Sequence, residues 1–354
     1  MIKVGILGAS GYTANELVRI LLGHKHAQIM WLGSQSQIDK PYHESYQNFF
    51  KIFDLACVDS GDLEKLCEQI DVLFCATPHN FCAQVLTPKI LKSTKVIDLS
   101  ADFRLRDEEI FARYYGSTHA NPTLLAQSVY GLCELNRQQI KAAQLVANPG
   151  CYPTCSILSL APLLAHNLID TQSIIIDAKS GTSGAGRKAV QDSLFCEVNE
   201  SFKAYGIGSH RHTPEIEQGL SDVAREPITL SFTPHLVPMN RGILATSYAN
   251  LRGAGFGAES ALDSARLREI YREFYAGEYF VRILEPGLSA QTRWVKGSNF
   301  IDIAPFVDMR TNRVIITAAI DNLIKGASGQ AVQNMNIMFD LPESSGLEVA
   351  PIFP

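Results

Sequence analysis

The stretch IKVGILGASGYTANELVRILLG (residues 2–23) decides the fold of the first part of the chain. Its apolar, β-branched start predicts a buried strand over 2–7, and apolar residues then recur at helical spacing up to a helix stop at Gly23. Gly8 and Gly11 lie in the turn between strand and helix. In such a turn, backbone N–H groups bind the pyrophosphate of a dinucleotide. The stretch therefore predicts a nucleotide-binding strand–turn–helix unit.

Strand and helix patterns alternate after this unit. The predicted strands cover 27–33, 71–77, 95–100 and 144–148, and a helix is expected near 80–91. Strands that alternate with helices at this spacing are typical of an α/β domain with a doubly wound, Rossmann-type parallel sheet. The glycine turn departs from the G-x-G-x-x-G pattern because Ile6 replaces its first glycine, while Ala14 keeps the small residue that helix–strand packing needs.

The pattern changes after residue 150. Helices are predicted from Pro153 to 168, at 259–275 and at 321–339, and strands at 173–180, 228–238, 242–251, 299–308 and 313–320. Strands that follow one another without helices between them predict an α+β domain with a mixed or antiparallel sheet. Gly326 and Gly329 lie inside the closing helix, where glycine lowers helix stability, so close packing or a ligand is expected there.

Composition narrows the class of protein. The net charge of −5 gives no basic footprint for nucleic acid or an anionic membrane. The first residues lack the features of a secretory signal, so a cytoplasmic protein is expected. The eight cysteines form no CxxC pair and no recurring spacing, which argues against a zinc site or a disulfide framework. No metal is predicted.

The end of the second strand indicates which dinucleotide is bound. A carboxylate there would bind the ribose hydroxyls of NAD and repel a 2′-phosphate. The sequence at this point is GSQSQ (33–37), which is neutral, and Asp39 comes later with Lys40 beside it. The neutral tip favours NADP, although an ordinary polar loop would have the same composition.

Cys151 in NPGCYPT stands out among the thiols. Pro153 suits the first turn of a helix, because its missing N–H would be unpaired there. Cys151 is therefore expected at the helix N-terminus, where free amides and the helix dipole favour an anion and lower the pKa of a thiol. Gly150 leaves room for a substrate. Cys155, one turn later, is expected in the core.

Two histidines supply candidates for proton transfer. His210 and His212 flank Arg211 in a glycine-containing loop that leads into a helix. A reactive cysteine, a histidine and a dinucleotide turn are together the parts of an acylating dehydrogenase, in which hydride passes to or from a thioester. The segment AKSGTSGAGRK (178–188) is interpreted as an anion-binding or nicotinamide-facing loop, with a mobile surface loop as the alternative.

The motifs GASGYT, SADFRL, NPGCYPT, SGTSGAGR, HRHTPEIEQ and AIDNLIKGASGQAVQNMN occur in this order. In these segments the chain closely resembles the N-acetyl-gamma-glutamyl-phosphate reductase family, within the semialdehyde dehydrogenase superfamily, from residue 2 to about 340. The resemblance implies NADPH-dependent reduction of an acyl phosphate to a semialdehyde in arginine biosynthesis. It also implies an NADP-binding domain over 1–150 with 321–354 and a catalytic, substrate and oligomerisation domain over 151–320. A homodimer or homotetramer is expected.

The resemblance further implies roles for individual residues. Cys151 would be the nucleophile that displaces phosphate, and His210 would be the acid/base. His212, Arg104 and Arg187 are candidates for substrate contacts, since a guanidinium fork matches carboxylate and phosphate alike. The residues expected at the NADP site are Gly8, Ser10, Gly11, Tyr12, Thr13, Ser34, Gln35, Ser36, Pro78, Ser180, Gly181 and Asn322.

Three alternatives stay open at this point. A reductase of carrier-protein-linked glutamyl phosphate in lysine biosynthesis would share every catalytic residue. An aspartate-semialdehyde dehydrogenase would share the chemistry but lack the HRHTPEIEQ block. An NADP-binding sensor without catalysis would have no use for Cys151 and His210.

Overall fold

The computed structural model describes residues 1–252 and 262–353. The chain forms two compact units. The first comprises Met1–Pro149 and Ala327–Val349, and the second Gly150–Gly326 and Ala350–Pro354. Each unit contains one seven-stranded sheet.

The elements are numbered in chain order. The strands are β1 (Ile2–Leu7), β2 (Ala27–Gly33), β3 (Cys57–Val58), β4 (Val72–Cys75), β5 (Lys95–Asp98), β6 (Val129–Tyr130), β7 (Leu145–Ala147), β8 (Ile175–Ser180), β9 (Lys203–Ala204), β10 (Ser231–Leu236), β11 (Ile243–Asn250), β12 (Val281–Ile283), β13 (Ile301–Asp308) and β14 (Arg313–Ile320). The α-helices are α1 (Tyr12–Leu22), α2 (Tyr42–Ser45), α3 (Leu63–Cys67), α4 (Cys82–Val85), α5 (Pro88–Ser93), α6 (Glu108–Tyr115), α7 (Pro122–Leu125), α8 (Cys133–Ala142), α9 (Cys151–Ala165), α10 (Phe195–Val198), α11 (Thr213–Ala224), α12 (Ser264–Phe274) and α13 (Gly329–Met338).

The sheet of the first unit is parallel throughout and runs in the order β3-β2-β1-β4-β5-β7-β6. The order reverses at β1, whose Val4 pairs with Ile29 on one side and Val72 on the other. Val4 and Ile6 are fully buried, as are Leu17 and Val18 of α1. This confirms the predicted doubly wound, Rossmann-type sheet, and it places the carboxyl end of β1 at the switch point where such sheets bind ligands.

The turn after β1 is shaped by one glycine. Gly8 has a φ of +87°, and a Cβ atom there would lie 2.5 Å from the carbonyl oxygen of Ala76. The amides of Gly8 and Ala9 both donate to the carbonyl oxygen of Gly33, at 3.0 Å each. Only glycine meets both the backbone angle and the close approach, so this position fixes the turn.

The sheet of the second unit is mixed, in the order β12-β13-β14-β11-β8-β10-β9. β8 and β10 pair in parallel, while β11 pairs antiparallel with both β8 and β14. On α12, the Tyr271 hydroxyl donates to the carbonyl of Ser159 and the Tyr275 hydroxyl to that of Leu158, which ties α12 to α9. The predicted α+β domain with a mixed sheet is confirmed.

Two predicted helices differ from the structure, and a third is observed, although its predicted start lies outside the described residues. The helix expected near 80–91 is two short helices, α4 and α5, because Thr87 caps α5 by accepting a hydrogen bond from the Ile90 amide and Pro88 follows at its start. The helix expected at 259–275 is observed as α12, and 259–261 lie outside the described residues. The closing helix expected at 321–339 is a π-helix over Ile324–Ser328 followed by α13.

The boundary between the units also differs from the prediction. Residues 321–326, expected with the nucleotide-binding domain, lie in the second unit. Asp321 and Asn322 are held there, because their side chains accept hydrogen bonds from the amides of Gly297 and Gly242 respectively.

No helix among the described residues is long and apolar enough to cross a membrane.

Gly8→Ala should destabilise the first unit by about 3 kcal/mol, because a positive φ and a clash with backbone add together. Gly116→Ala is the matched control: its φ is +74°, and a Cβ there would have no neighbour within 4 Å. It should cost only about 1 kcal/mol. Urea unfolding followed by Trp31 fluorescence in a Trp294→Phe background measures both, and equal losses would contradict the assignment of Gly8 as a packing constraint.

Candidate active site

Cys151 is the first residue of α9, and Gly150 is the N-cap. All eight cysteines are free thiols; Cys151 is half-buried, Cys196 is exposed and the others are buried. Gly150 has no side chain with which to cap the helix, and Pro153 has no N–H that needs a partner. The thiol therefore lies at a helix N-terminus, where a negative charge is stabilised, and this is the placement predicted from NPGCYPT.

A second helix begins beside it. α9 and α11 pack closely at Gly219, where a Cβ would lie 2.4 Å from Cδ1 of Ile157. At the start of α11, the fully buried Glu215 accepts a hydrogen bond from the Gly150 amide at 2.8 Å. The N-termini of α9 and α11 therefore converge on the segment that carries Cys151. Two helix N-termini with the same polarity create a site for an anion.

Gly326 packs directly against Cys151. A Cβ at this position would lie 2.7 Å from Cβ of Cys151. The expectation of close packing at Gly326 is therefore met by Cys151. π-Helical turns such as the one that carries Gly326 are frequent at functional sites.

His210 lies in an aromatic pocket that is formed in part by Tyr152, the residue after Cys151. Its ring centroid is 5.6 Å from that of Tyr152, 5.4 Å from that of Tyr205 and 5.4 Å from that of Phe232. The ring of His212 is 5.0 Å away. Burial, together with the charge of Arg211, lowers the pKa of His210 to about 4. The imidazole is therefore neutral at neutral pH.

Two tyrosines connect His210 with Cys151. The hydroxyls of Tyr152 and Tyr205 hydrogen-bond at 3.1 Å. Burial raises the pKa of Tyr205 to about 12, and a negative charge on Cys151 acts in the same direction. Burial raises the pKa of Tyr152 as well, again with a contribution from Cys151. Both phenols remain protonated and lie within the electrostatic range of the thiol.

The glycine-rich loop after β8 is held by backbone contacts. A Cβ at Gly181 would lie 2.8 Å from the amide nitrogen of Arg241, so the two chain segments approach as closely as glycine allows. Asn322 joins these segments, since its Oδ1 accepts from the Gly242 amide at 2.8 Å and its Nδ2 donates to Ser183 Oγ at 3.0 Å. Ser180 is buried and donates to the carbonyl of Gly181. The predicted cofactor contacts Ser180, Gly181 and Asn322 therefore build this loop.

The remaining predicted NADP residues lie in the first unit. Gly11 is the N-cap of α1, and Tyr12 and Thr13 are its first residues. Ser34 is buried at the end of β2, while Gln35, Ser36 and Pro78 are exposed. Ser10 precedes the cap in the same turn.

This turn fits a dinucleotide. Gly11 has no side chain to occupy the first amides of α1, which leaves them for an anionic group. Thr77 follows β4 beside the turn, and its Oγ1 is buried with no hydrogen-bond partner among the described residues. A Cβ at Gly8 would lie 3.2 Å from the Thr77 amide nitrogen, so the two segments are neighbours. A buried hydroxyl without a partner at such a turn is the kind of group that a bound ligand satisfies.

The two arginines proposed as substrate contacts lie in different surroundings. Arg104 is buried, and its guanidinium donates to the carbonyl oxygens of Asn148 and Leu99, both at 2.8 Å. These donors hold the chain three residues before Cys151. Arg187 is exposed on the loop after β8. His212 is half-buried at the N-cap of α11. Within residues 1–252 and 262–353, no cluster of His, Cys, Asp or Glu side chains is arranged to hold a metal ion.

Two further residues of the site were not identified from the sequence. Glu215 occupies the third position of α11, where a carboxylate commonly caps a helix, and this position was the available signal. Thr77 ends the segment DVLFCAT, but nothing in the sequence marks its hydroxyl as unsatisfied. Its role follows only from the packing around it.

The chain resembles known proteins over nearly its whole length. Residues 3–143 match the family model described as the semialdehyde dehydrogenase NAD binding domain, and 151–322 match the semialdehyde dehydrogenase dimerisation domain. The N-acetyl-gamma-glutamyl-phosphate reductase of Lachnoclostridium phytofermentans is 56% identical over 100% of both chains. That of Campylobacter jejuni subsp. jejuni is 56% identical over 98% of both. An aspartate semialdehyde dehydrogenase with NADP from Candida albicans shares the fold, with a TM-score of 0.67 at 14% identity over 96% of this chain and 98% of that one. The chain belongs to the N-acetyl-gamma-glutamyl-phosphate reductase family.

Proposed function

We propose that this protein reduces N-acetyl-gamma-glutamyl phosphate to N-acetyl-glutamate 5-semialdehyde, with NADPH as reductant, through a thioester on Cys151. As a member of this family the chain is an oxidoreductase that uses NADP(H). The observation that carries the proposed mechanism is the position of Cys151 at the N-terminus of α9, beside the pocket of His210. A nucleophilic thiolate and a group that acts on the carbonyl oxygen are what acyl transfer from a phosphate requires.

Each of these residues has its own role in the proposed reaction. The thiolate of Cys151 attacks the acyl carbon, and the C–O bond to phosphate breaks to leave a thioester. When bound, NADPH supplies the hydride for its reduction. Cys151 is then the leaving group that releases the aldehyde. His210 acts at the carbonyl oxygen, and Arg187 and His212 are the candidates for holding the substrate's anionic groups.

The cofactor site is assigned to the turn of Gly8 to Thr13 and to the tip of β2. Ser34, Gln35 and Ser36 follow β2 without a carboxylate among them. A 2′-phosphate therefore meets hydroxyl and amide groups here, whereas a carboxylate at this place would select NAD.

The second unit also supports a proposal for assembly. One face of its sheet is covered by helices, while side chains of the opposite face are only partly buried; these include Asp177, Lys179, Leu244, Thr246, Tyr248, Ile315 and Thr317. A sheet face of this size with mixed apolar and polar groups suits a second copy of the chain.

We place the enzyme in the cytoplasm, where free thiols persist.

The function is tested with a substrate panel in the direction of semialdehyde oxidation. N-acetyl-glutamate semialdehyde, carrier-linked glutamate semialdehyde and aspartate semialdehyde are each assayed with phosphate and NADP. The first should be the preferred substrate, and Cys151→Ser should abolish its turnover while NADPH binding persists, because serine is not ionised at this position. Cys196→Ser is the matched control for an exposed thiol and should retain activity. Turnover by Cys151→Ser, or preference for another substrate, would refute the proposal.

His210→Asn should lower kcat about 100-fold or more, the cost of removing a group that acts on the reacting oxygen. His212→Asn removes the neighbouring imidazole, which is half-buried like that of His210. It should lower kcat by less than about 10-fold. Steady-state kinetics of the two variants decides between them. If His212→Asn lost more activity than His210→Asn, the residue that acts on the carbonyl oxygen would be His212.

Ser34→Asp should lower the NADP/NAD ratio of kcat/KM by about 10-fold or more, because one unfavourable charge contact of about 1.4 kcal/mol has that effect. Asp39→Asn is the control, since Asp39 is exposed beyond the strand tip and should leave the ratio unchanged. The ratio is measured with both cofactors at saturating semialdehyde and phosphate. If the wild-type enzyme preferred NAD, the proposal that the residues after β2 bind the 2′-phosphate would be contradicted.

A further inference from the structure

Three histidines of this chain form the same local turn. Nδ1 of His24 accepts from the amide of His26 at 3.2 Å, Nδ1 of His119 from that of Asn121 at 3.1 Å, and Nδ1 of His210 from that of His212 at 3.1 Å. A backbone N–H can only donate. Nδ1 is therefore unprotonated in each case, and the neutral ring carries its proton on Nε2.

In two of the three, this proton has a partner within the first unit. Nε2 of His24 donates to Oδ1 of Asn336 at 2.9 Å, and Nε2 of His119 donates to the carbonyl oxygen of Asp102 at 2.5 Å. Nε2 of His210 has no hydrogen-bond partner among the described residues. In His24 and His119 this turn leaves an Nε2–H that makes a structural hydrogen bond. In His210 it leaves an Nε2–H donor in the pocket bordered by Tyr152, the residue that follows Cys151.

The surroundings of His210 favour the neutral ring. The groups that face it are Tyr152, Tyr205 and His212, together with the cation of Arg211, while Phe232 closes the pocket. Both phenols stay protonated, as their raised pKa values require. A negative charge on Cys151 would favour an imidazolium. Burial and the charge of Arg211 disfavour it, and so does the His212 amide, which would face a second N–H if Nδ1 were protonated.

We propose that His210 is a fixed, neutral hydrogen-bond donor to the carbonyl oxygen of the substrate on Cys151 and does not carry a proton during the reaction. His212 is then a positioning residue, which acts through its backbone amide on the tautomer of His210. This inference rests on the proposed function and replaces the acid/base role that the sequence suggested for His210.

The chemistry balances without proton transfer at the carbonyl oxygen. Attack by the thiolate forms a C–S bond and an oxyanion, which collapses as the C–O bond to phosphate breaks, and the departing phosphate takes its proton from solvent. Hydride addition to the thioester forms a second oxyanion. This oxyanion collapses by breaking the C–S bond, which returns Cys151 as a thiolate and releases the aldehyde. Both oxyanions need a hydrogen-bond donor, and a neutral Nε2–H supplies it.

The tautomer is observable in the full-length protein with or without substrate. Long-range ¹H–¹⁵N correlation spectra of the histidine-labelled enzyme should show His210 as the neutral Nε2–H form from about pH 8 to about pH 5, since an ordinary histidine would protonate near 6.5. The spectrum of His210→Gln identifies the signal. An Nδ1–H tautomer or an imidazolium at neutral pH would overturn the proposal. This readout is independent of whether the proposed substrate is correct.

Two amide variants test the role in turnover. In His210→Gln the side-chain amide can donate from near the Nε2 position, whereas the amide of His210→Asn lies nearer Nδ1, and neither can transfer a proton. A donor role predicts that Gln retains kcat within about 10-fold of the wild type, while Asn loses about 100-fold or more. Equal losses in both variants would overturn the donor role and indicate proton transfer.

A second pair of variants tests the backbone amide of His212 separately from its side chain. His212→Ala and His212→Pro both remove the imidazole, but only proline removes the N–H, and the φ of −81° at this residue is close to the range of proline. The alanine variant should keep His210 in the Nε2–H form, and the proline variant should allow protonation at Nδ1. An unchanged tautomer in His212→Pro would show that the amide does not set it. If the proline variant fails to fold, the glutamine and asparagine pair still decides the proposal.

Discussion

The close packing of α9 against α11 is the constraint on which the candidate site depends. Gly219 admits the side chain of Ile157 to within van der Waals contact, and this brings two helix N-termini to the same place. One carries Cys151, and the other carries Glu215 and follows the His210 loop. Helix N-termini favour negative charge, so their convergence suits a thiolate, a phosphate and an oxyanion in turn. The buried side chain of Glu215 accepts a hydrogen bond from the Gly150 amide, and this bond fixes the segment just before Cys151.

The second unit also holds a largely aromatic pocket around His210. Tyr152 and Phe232 are almost fully buried and enclose the ring of His210 with Tyr205. A hydrogen bond in such a pocket is stronger than in water, and an unpaired charge there is costly. The same burial that keeps the imidazole neutral therefore raises the value of its remaining N–H as a donor. The loop after β8 is held separately, through the hydrogen bonds of Asn322 with Gly242 and Ser183.

The sequence predicted those features that local physics determines. The strand, glycine turn and helix of residues 2–23 follow from apolar spacing and the glycines of the turn, and Cys151 at a helix start follows from Pro153. Features set by tertiary packing were not predictable. The π-helical turn that places Gly326 against Cys151 is one of these. The break between α4 and α5 has a local cause, since Thr87 and Pro88 start a new helix, and the sequence prediction missed this signal. The sequence did not predict that two hydrogen bonds of Arg104 go to the carbonyls of Asn148 and Leu99, and its contact with the substrate remains a prediction. Thr77 is recognised only from its buried hydroxyl, which has no partner among the described residues, whereas Glu215 also had a signal in its position near the start of α11. The assignments of His210 and Arg187 to substrate remain predictions.

The central claim is that the N-terminus of α9 keeps Cys151 ionised at neutral pH. Its most direct measurement is the pH dependence of iodoacetamide labelling, read by mass spectrometry at Cys151 and at Cys196, the exposed thiol of the same molecule. The rate at Cys151 should already be close to its maximum at about pH 7 and change little above it, as for thiols stabilised at helix N-termini. The ratio of labelling at Cys151 to labelling at Cys196 should therefore fall as the pH rises. A rate at Cys151 that climbs through about pH 8.5, in parallel with an ordinary thiol, would contradict the account.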